Sequence, residues 1–276
     1  MTMSEPSFDL DAYMTRIGYD GPRAASLETL RVLHRMHPAA IAFENLDPLL
    51  GRPVLLDIAS LQNKLVAGGR GGYCYEQNLL FAHALRALGF TVHEHSARVL
   101  WGRPADVRTQ RSHLLLVVDV EGTRYLADVG FGGNVLTGPL LLDDPSEQST
   151  PHEPYRILRE GGDYTIEFKI RDDWMKLLRF DLSEQIYEDH VQSNWFTSTW
   201  PESKFVRSLM GARALPGRRY ALSNNILTVH HMNGGSEKRA LNAGELREAL
   251  AELFGLRLAG LDGLDNALAR VTNGAS

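Results

Sequence analysis

Apolar residues recur at helical spacing through the first third of the chain, and two of these stripes follow a residue that can cap a helix. They are Leu27, Leu30 and Leu33 after Ser26, and Ile58, Leu61 and Leu65 after Asp57. A further helix is predicted to begin near residue 74 and to end at Gly89, because glycine often terminates helices. Residues 1 to about 89 are therefore predicted to be mainly helical.

From residue 91 to about residue 182 the pattern changes to short runs of apolar, β-branched and aromatic residues. The predicted strands cover residues 97–101, 113–120, 124–129, 156–158, 164–170 and 174–180. Turn signals rich in glycine and acidic residues separate neighbouring runs at 121–122 and 160–163. We therefore expect these strands to pair antiparallel, in a sheet or a barrel.

Helical and strand signals are mixed beyond a linking segment that contains Trp200 and Pro201. Residues 223–225 predict a hairpin turn, and Asn242 followed by Glu245 has the spacing of a helix cap and its reciprocal partner. The whole pattern predicts an α+β protein in three modules. These are a helical bundle over residues 1–89, an antiparallel β-barrel over residues 90–195, and a linker with a small α/β lid over residues 196–276.

The only cysteine, Cys74, lies where one of the predicted helices begins. A lone cysteine is most often a buried packing residue. Here, however, Arg70, Gly71 and Gly72 precede it and Glu76 follows it, which is a polar setting that a packing residue does not need. Unpaired N–H groups at a helix N-terminus favour a thiolate and can hold an oxyanion. The position therefore predicts a nucleophile.

A base and an orienting carboxylate follow Cys74 in the sequence. His113 opens one predicted strand and Asp128 ends the next, nine residues before and six residues after Gly122 in the intervening turn. The two side chains are therefore expected at the same end of a hairpin, as cross-strand or diagonal neighbours. The carboxylate would then bind one imidazole nitrogen and leave the other to take the thiol proton.

With this order of motifs the chain resembles the arylamine N-acetyltransferase family. The resemblance rests on Arg-Gly-Gly-Tyr-Cys at 70–74, the strand histidine His113, and Asp-Val-Gly-Phe-Gly at 128–132. It extends to Ala-Phe-Glu-Asn-Leu at 42–46 and to Ser-Asn-Trp-Phe-Thr-Ser-Thr at 193–199, and it becomes weak beyond about residue 210. It implies a papain- or transglutaminase-like core with a catalytic triad of Cys74, His113 and Asp128.

The resemblance also implies the reaction and the binding residues. Acetyl-CoA would be the acetyl donor, and arylamines, arylhydrazines and N-hydroxyarylamines would accept the acetyl group in a ping-pong mechanism through an acetyl-cysteine. The apolar walls of the acceptor site are expected to be Phe43, Phe131 and Phe196. The loop expected to contact CoA contains Gly130, Phe131, Gly132 and Gly133. Glu44 and Arg70 are expected to form a structural ion pair.

Three other interpretations are compatible with the residues alone. A thiol hydrolase or a transglutaminase-like acyltransferase could use the same triad, and a binding protein could carry Cys74 as an inert side chain. The third alternative is a metal site, because His93 and His95 lie on one face of a predicted strand, where His113 or the pair His230 and His231 could complete it. The chain lacks the sequence motifs typical of zinc sites, and we predict no metal.

Composition and charge limit the partners. A net charge of −5 and a pI near 6.1 argue against nucleic acid as a partner, so a site for the CoA phosphates must be basic only locally. The arginine groups that stand out, namely Arg103, Arg108 and Arg111, and Arg218 with Arg219, are of a size that is usually solvated surface. No signal peptide or long apolar run is seen, and a single cysteine cannot form an internal disulfide, so we expect a cytoplasmic enzyme without membrane contact. The sequence leaves a homodimer open.

Overall fold

A computed structural model describes residues 8–104, 107–232 and 234–274. The helices are α1 (Leu10–Ile17), α2 (Leu27–Ala40), α3 (Leu46–Leu49), α4 (Ile58–Leu61), α5 (Cys74–Ala87), α6 (Tyr187–Thr199), α7 (Lys204–Arg207), α8 (Ala243–Glu252) and α9 (Leu264–Thr272). The strands are β1 (Phe43–Glu44), β2 (Thr91–Val99), β3 (Arg111–Val120), β4 (Thr123–Ala127), β5 (Leu140–Leu141), β6 (Tyr155–Glu160), β7 (Asp163–Ile170), β8 (Asp173–Asp181), β9 (Met210–Leu215), β10 (Arg218–Ser223), β11 (Ile226–His231) and β12 (Ser236–Ala240). None of the described helices is long and apolar enough to cross a lipid bilayer.

The predicted helix caps are present in the N-terminal part. The hydroxyl of Ser26 accepts a hydrogen bond from the N–H of Thr29 at the start of α2, and the carboxylate of Asp57 accepts one from Ser60 at the start of α4. A π-helical segment, Gln62–Ala67, continues α4. Helix α5 is buried along most of its length and is followed by Gly89, which has a φ of +90°. The prediction of a helical N-terminal part is confirmed, with the short strand β1 as an addition.

Seven strands form one antiparallel sheet in the order β5-β4-β3-β2-β8-β7-β6. Gln148 connects its two ends. Its backbone pairs with Tyr155 in β6, and its side-chain amide bonds to both the N–H and the C=O of Leu141 in β5. Because these bonds nearly complete the circle, the predicted antiparallel barrel is confirmed.

The predicted strands differ from the structure by one or more residues at their ends, as β2 and β4 illustrate. Strand β2 begins at Thr91, six residues before the predicted start, and Trp101 lies in the turn that follows it. Strand β4 ends at Ala127, so Asp128 lies just beyond it. The reason is that the N–H groups of Asp128 and Val129 donate to the side chains of His34 and Asn78 instead of to a neighbouring strand.

The C-terminal part is a second sheet with helices α8 and α9 packed against its apolar residues. Its order is β1-β9-β10-β11-β12, so its first strand comes from the N-terminal region, with Phe43 opposite Ala212. The predicted hairpin turns at Asn224, which has a φ of +50°, and Asn242 caps α8 with the reciprocal bond from Glu245. The fold is therefore the predicted α+β arrangement of a helical part, a barrel and an α/β part.

Candidate active site

A tightly held turn places Cys74 at the first position of α5. Gly72 pairs with strand β1, because its N–H donates to Ala42 at 3.3 Å and its C=O accepts from Glu44 at 3.1 Å. A side chain on Gly71 could not be accommodated, since its Cβ would lie 2.0 Å from the carbonyl oxygen of Ala42. The backbone thus approaches β1 as closely as only glycine allows and then enters the helix at Cys74.

Buried ion pairs brace this turn. Arg70 binds Glu44 at 2.6 Å, which confirms the predicted pair, and it also lies 3.4 Å from Asp47. Lys64 binds Asp47 at 2.5 Å and Glu76 at 2.6 Å, and Glu76 accepts the N–H of Tyr73 immediately before the nucleophile position. Burial acts to lower the pKa of Lys64, but the nearby carboxylates, Glu76 first among them, outweigh it and raise that pKa. Lys64 therefore stays charged, and its ion pairs fix the turn.

The hairpin of β3 and β4 brings His113 and Asp128 together as predicted. Nε2 of His113 lies 2.6 Å from Oδ2 of Asp128, and both residues are buried. His113 also lies close enough to Cys74 for the thiol to affect the pKa of the imidazole, and the sulfur of Cys74 lies 3.7 Å from the carbonyl oxygen of Ser112. Because Nε2 is engaged by the carboxylate, Nδ1 is the imidazole nitrogen left for the thiol. The three predicted residues form one continuous chain of contacts.

The electrostatics of this chain favour a charged imidazole. Burial alone lowers the pKa of His113, but the charge of Asp128 and the hydrogen bonds from Asp128 and Cys74 outweigh it and raise that pKa to about 10. Burial likewise raises the pKa of Asp128, but the charge and hydrogen bond of His113, followed by bonds from Asn78 and Gly130, hold it below its usual value. At neutral pH the site therefore holds an imidazolium next to the sulfur, which favours a thiolate there.

Asn78 links the three elements that carry these residues. It lies one helical turn after Cys74, donates to the C=O of Leu114 at 2.7 Å and to Asp128 at 3.0 Å, and accepts the N–H of Val129 at 3.0 Å. The sequence analysis gave it no role. The available signal was its spacing, because residues four apart share one face of a helix. Asn78 fixes the cysteine helix against both the histidine strand and the aspartate loop.

Gly130 packs directly against the backbone of Cys74. A Cβ on Gly130 would lie 2.8 Å from Cα of Cys74 and 2.7 Å from Nδ2 of Asn78. The φ of Gly130 is not positive, so space alone requires glycine at this position. The loop after Asp128 is thereby held against the N-terminal turn of α5.

We expect Gly130→Ala to lower stability by about 1–3 kcal/mol, because the added methyl group overpacks this contact. The rate of the reaction catalysed at Cys74 should fall by about 10- to 100-fold, since small displacements of reacting groups are costly. Thermal denaturation and steady-state kinetics measure both effects. Gly162→Ala is the matched control, because a Cβ there would meet nothing within 4 Å. Equal behaviour of the two variants would show that the contact at Gly130 does not position the loop.

A cavity of about 690 Å³ opens above the sulfur. All the residues predicted to bind substrate or CoA line it, namely Phe43, Gly130, Phe131, Gly132, Gly133 and Phe196. The ring of Phe131 meets that of His113 edge to face at 5.5 Å, and Phe196 stacks on Trp200 at 5.4 Å. Cys74 and His113, each 3% exposed, form the floor of the cavity.

Comparison with known proteins agrees with this geometry. The model of an N-acetyltransferase family matches residues 26–262. The arylamine N-acetyltransferase of Escherichia coli is 42% identical over 250 residues, which are 90% of this chain and 88% of that protein. The chain belongs to the arylamine N-acetyltransferase family. Its members are acyltransferases. The alternatives of an inert binding protein and of a thiol hydrolase are therefore no longer supported.

Two further relatives from the arylamine N-acetyltransferase family have names that mention a substrate or CoA. The arylamine N-acetyltransferase / N-hydroxyarylamine O-acetyltransferase of Salmonella typhimurium is 41% identical over 249 residues, which are 90% of this chain and 88% of that protein. The Mycobacterium marinum arylamine N-acetyltransferase in complex with CoA superposes with a TM-score of 0.92 at 38% identity, over 96% of this chain and 99% of that one.

His95, His230 and His231 of the alternative metal site have other hydrogen-bond partners. Glu94 binds Arg86 at 2.7 Å and His190 at 3.2 Å. His95 lies 3.2 Å from the C=O of Ser183. His230 and His231 bond to Ser236 and Glu237, respectively. Within the described parts of the chain, no group of three or more His, Cys, Asp or Glu side chains is arranged to hold a metal ion.

Three aromatic residues that were not predicted from the sequence as site residues also line the cavity. They are Trp101, Trp200 and Phe205. The ring centre of Phe205 lies 6.4 Å from that of Phe43 and 5.1 Å from that of Tyr73. Trp200 was noted only as part of a linking segment. No periodic signal marks these residues, because Trp101 lies in a turn, Trp200 caps the C-terminal end of α6, and Phe205 lies on the four-residue helix α7.

Proposed function

We propose that this protein transfers the acetyl group of acetyl-CoA to arylamines, arylhydrazines and N-hydroxyarylamines through an acetyl-cysteine at Cys74. The observation that carries the proposal is the contact chain from Cys74 through His113 to Asp128 at the floor of an aromatic cavity. CoA binding by a solved relative of the same fold supports the choice of donor. The name of the Salmonella relative supports the inclusion of N-hydroxyarylamines.

In the first half-reaction the thiolate of Cys74 attacks the thioester carbon of acetyl-CoA. Backbone N–H groups in the first turn of α5 can stabilise the developing oxyanion, because they have no partners within the helix. Collapse of this intermediate breaks the bond from carbon to the CoA sulfur. The CoA thiolate leaves with the proton of the His113 imidazolium, and the enzyme retains an acetyl-cysteine next to a neutral imidazole.

In the second half-reaction the uncharged nitrogen of an aromatic amine attacks the acetyl-cysteine. Nδ1 of His113 accepts the proton that the nitrogen loses, and the cleaved thioester returns Cys74 to the thiolate. Asp128 holds the imidazole through Nε2 and stabilises its charged form in both steps. The two half-reactions share one site, so the kinetics are ping-pong.

The aromatic walls of the cavity determine which class of acetyl acceptor can bind. Phe43, Phe131 and Phe196 present apolar faces close to the sulfur, where a flat, weakly basic amine can stack. The same walls exclude water, which would otherwise hydrolyse the acetyl-cysteine. Gly132 and Gly133 leave backbone exposed along the cavity, where we place the pantetheine arm of CoA. We place the enzyme in the cytoplasm, and one chain supplies all of these residues, so a homodimer is not required.

The decisive experiment is intact-protein mass spectrometry after mixing with acetyl-CoA alone, followed by addition of an arylamine or arylhydrazine. We expect one acetyl adduct, mapped to Cys74 by peptide analysis, that the amine removes faster than water does. A protein alkylated beforehand with iodoacetamide is the control and should gain no acetyl group. If untreated protein gains none although its thiol alkylates readily, acetyl-CoA is not the donor and the proposal fails.

A further inference from the structure

Two cationic side chains stand at the outer part of the catalytic cavity. Arg103 lies in the turn after strand β2, and Lys204 is the first residue of α7. Both side chains are exposed, yet both line the cavity whose floor is formed by the nearly inaccessible Cys74. They come from distant parts of the sequence and meet only because the barrel and the segment after α6 fold against the same opening.

The two cations lie near each other, and no described carboxylate forms an ion pair with either of them. After burial, the positive charge of Arg103 is the next cause that lowers the pKa of Lys204, so the two groups lie close enough to repel. Among the ion pairs formed by the described residues, none involves either side chain. The acidic residue that lines the same cavity, Glu202, is held 2.6 Å from Arg207.

Two of the other arginines noted in the sequence have acidic partners, since Arg111 binds Asp181 and Arg219 binds Glu153 at 2.6 Å. Arg103 and Lys204 differ from them in two respects, because both line the catalytic cavity and neither forms an ion pair with another described residue. Two like charges that face each other raise the free energy of the unliganded protein, and a multiply charged anion placed between them relieves the repulsion.

We propose that Arg103 and Lys204 bind phosphate groups of acetyl-CoA. This inference rests on the proposed function and assigns a site for the charged end of the donor. The acetyl group must reach Cys74 at the floor, and the phosphates occupy the opposite end of the molecule, so they remain near the mouth of the cavity. The guanidinium of Arg103 can bind a phosphate through two N–H groups, and Lys204 adds a mobile point charge.

The test compares three acetyl donors that share the pantetheine thioester. Acetyl-CoA carries the diphosphate and the 3′-phosphate, acetyl-dephospho-CoA lacks the 3′-phosphate, and S-acetylpantetheine lacks all phosphates. For the double variant Arg103→Gln with Lys204→Gln we expect the KM for acetyl-CoA to rise about 10-fold or more, with kcat changed less than about 2-fold. The KM for S-acetylpantetheine should stay within about 2-fold of the unmodified enzyme. Acetyl-dephospho-CoA shows which phosphate is bound.

A control with the same change of net charge is Arg35→Gln with Lys238→Gln, because both residues are exposed and neither lines this cavity. It should leave all three KM values unchanged. The inference is overturned if the KM for acetyl-CoA does not rise in the double variant, or if it rises equally for S-acetylpantetheine. Failure of the proposed function looks different, because the unmodified enzyme would then form no acetyl adduct with any of the three donors.

Discussion

Cys74→Ala is expected to abolish acetyl transfer, lowering kcat by more than about ten-thousandfold, while the protein still folds. In the proposed mechanism the thiol of Cys74 carries the acetyl group from the donor to the acceptor. Its loss removes few stabilising contacts, since the sulfur has one weak bond to Ser112 besides its contact with His113. Activity assays, adduct mass spectrometry and thermal denaturation measure these effects.

Cys74→Ser is the matched control for this prediction. It keeps the size and the hydrogen-bonding capacity of the side chain but offers a hydroxyl that ionises far less readily than a thiol. We expect it to fold like Cys74→Ala and to be nearly as inactive. Acetylation by the alanine variant at more than about one per cent of the normal rate would contradict covalent catalysis and favour direct transfer between bound substrates.

Asp128→Asn is expected to lower kcat/KM about a thousandfold or more. The charge of Asp128 is the main cause that raises the pKa of His113 to about 10, against burial, which lowers it. In the unmodified enzyme the imidazolium is therefore present at neutral pH and is lost only as the pH rises towards about 10. With asparagine the opposing effect of burial remains, so the imidazole becomes neutral at a lower pH and no longer favours the thiolate.

The rate of Cys74 alkylation by iodoacetamide between pH 6 and 9 measures this change directly. At pH 7 we expect a faster rate for the unmodified enzyme than for Asp128→Asn, because the imidazolium beside the sulfur favours the reactive thiolate. Asp143→Asn is the control, because Asp143 pairs with Arg124 on the barrel surface, away from the cavity. If Asp128→Asn alkylates as fast as the unmodified enzyme at pH 7, Asp128 does not maintain the charged imidazole.

Sequence alone could predict the features that short segments determine. The caps at Ser26 and Asp57 need only neighbouring residues, and the meeting of His113 with Asp128 follows from the register that one hairpin turn imposes. The contacts that Asn78 and His34 make with the barrel could not be predicted from short segments. His34 accepts the N–H of Asp128 at 3.0 Å from 94 positions earlier in the chain.

Contacts of that kind depend on how the helices pack against the barrel, which the local pattern does not encode. The packing also determines the charge of His34, because burial lowers its pKa to about 4. His34 is therefore neutral at physiological pH and can accept the N–H of Asp128. Similarly, the cationic pair at the cavity mouth joins residues 103 and 204. In the sequence Arg103 is one of several arginines in a loop. Only the folded structure shows that Arg103 lines the cavity, whereas Arg111 of the same group is paired with Asp181.

Strand β1 has a further consequence for how the protein is made. Its two residues pair on one side with the turn that precedes Cys74 and on the other with β9, where Glu44 lies opposite Gly211. Loops that close over so many residues form late and slowly. The turn that carries Cys74 therefore gains its full support only after most of the chain, including β9, has left the ribosome. Truncated chains that end before β9 are expected to leave the ribosome without an ordered position for the thiol.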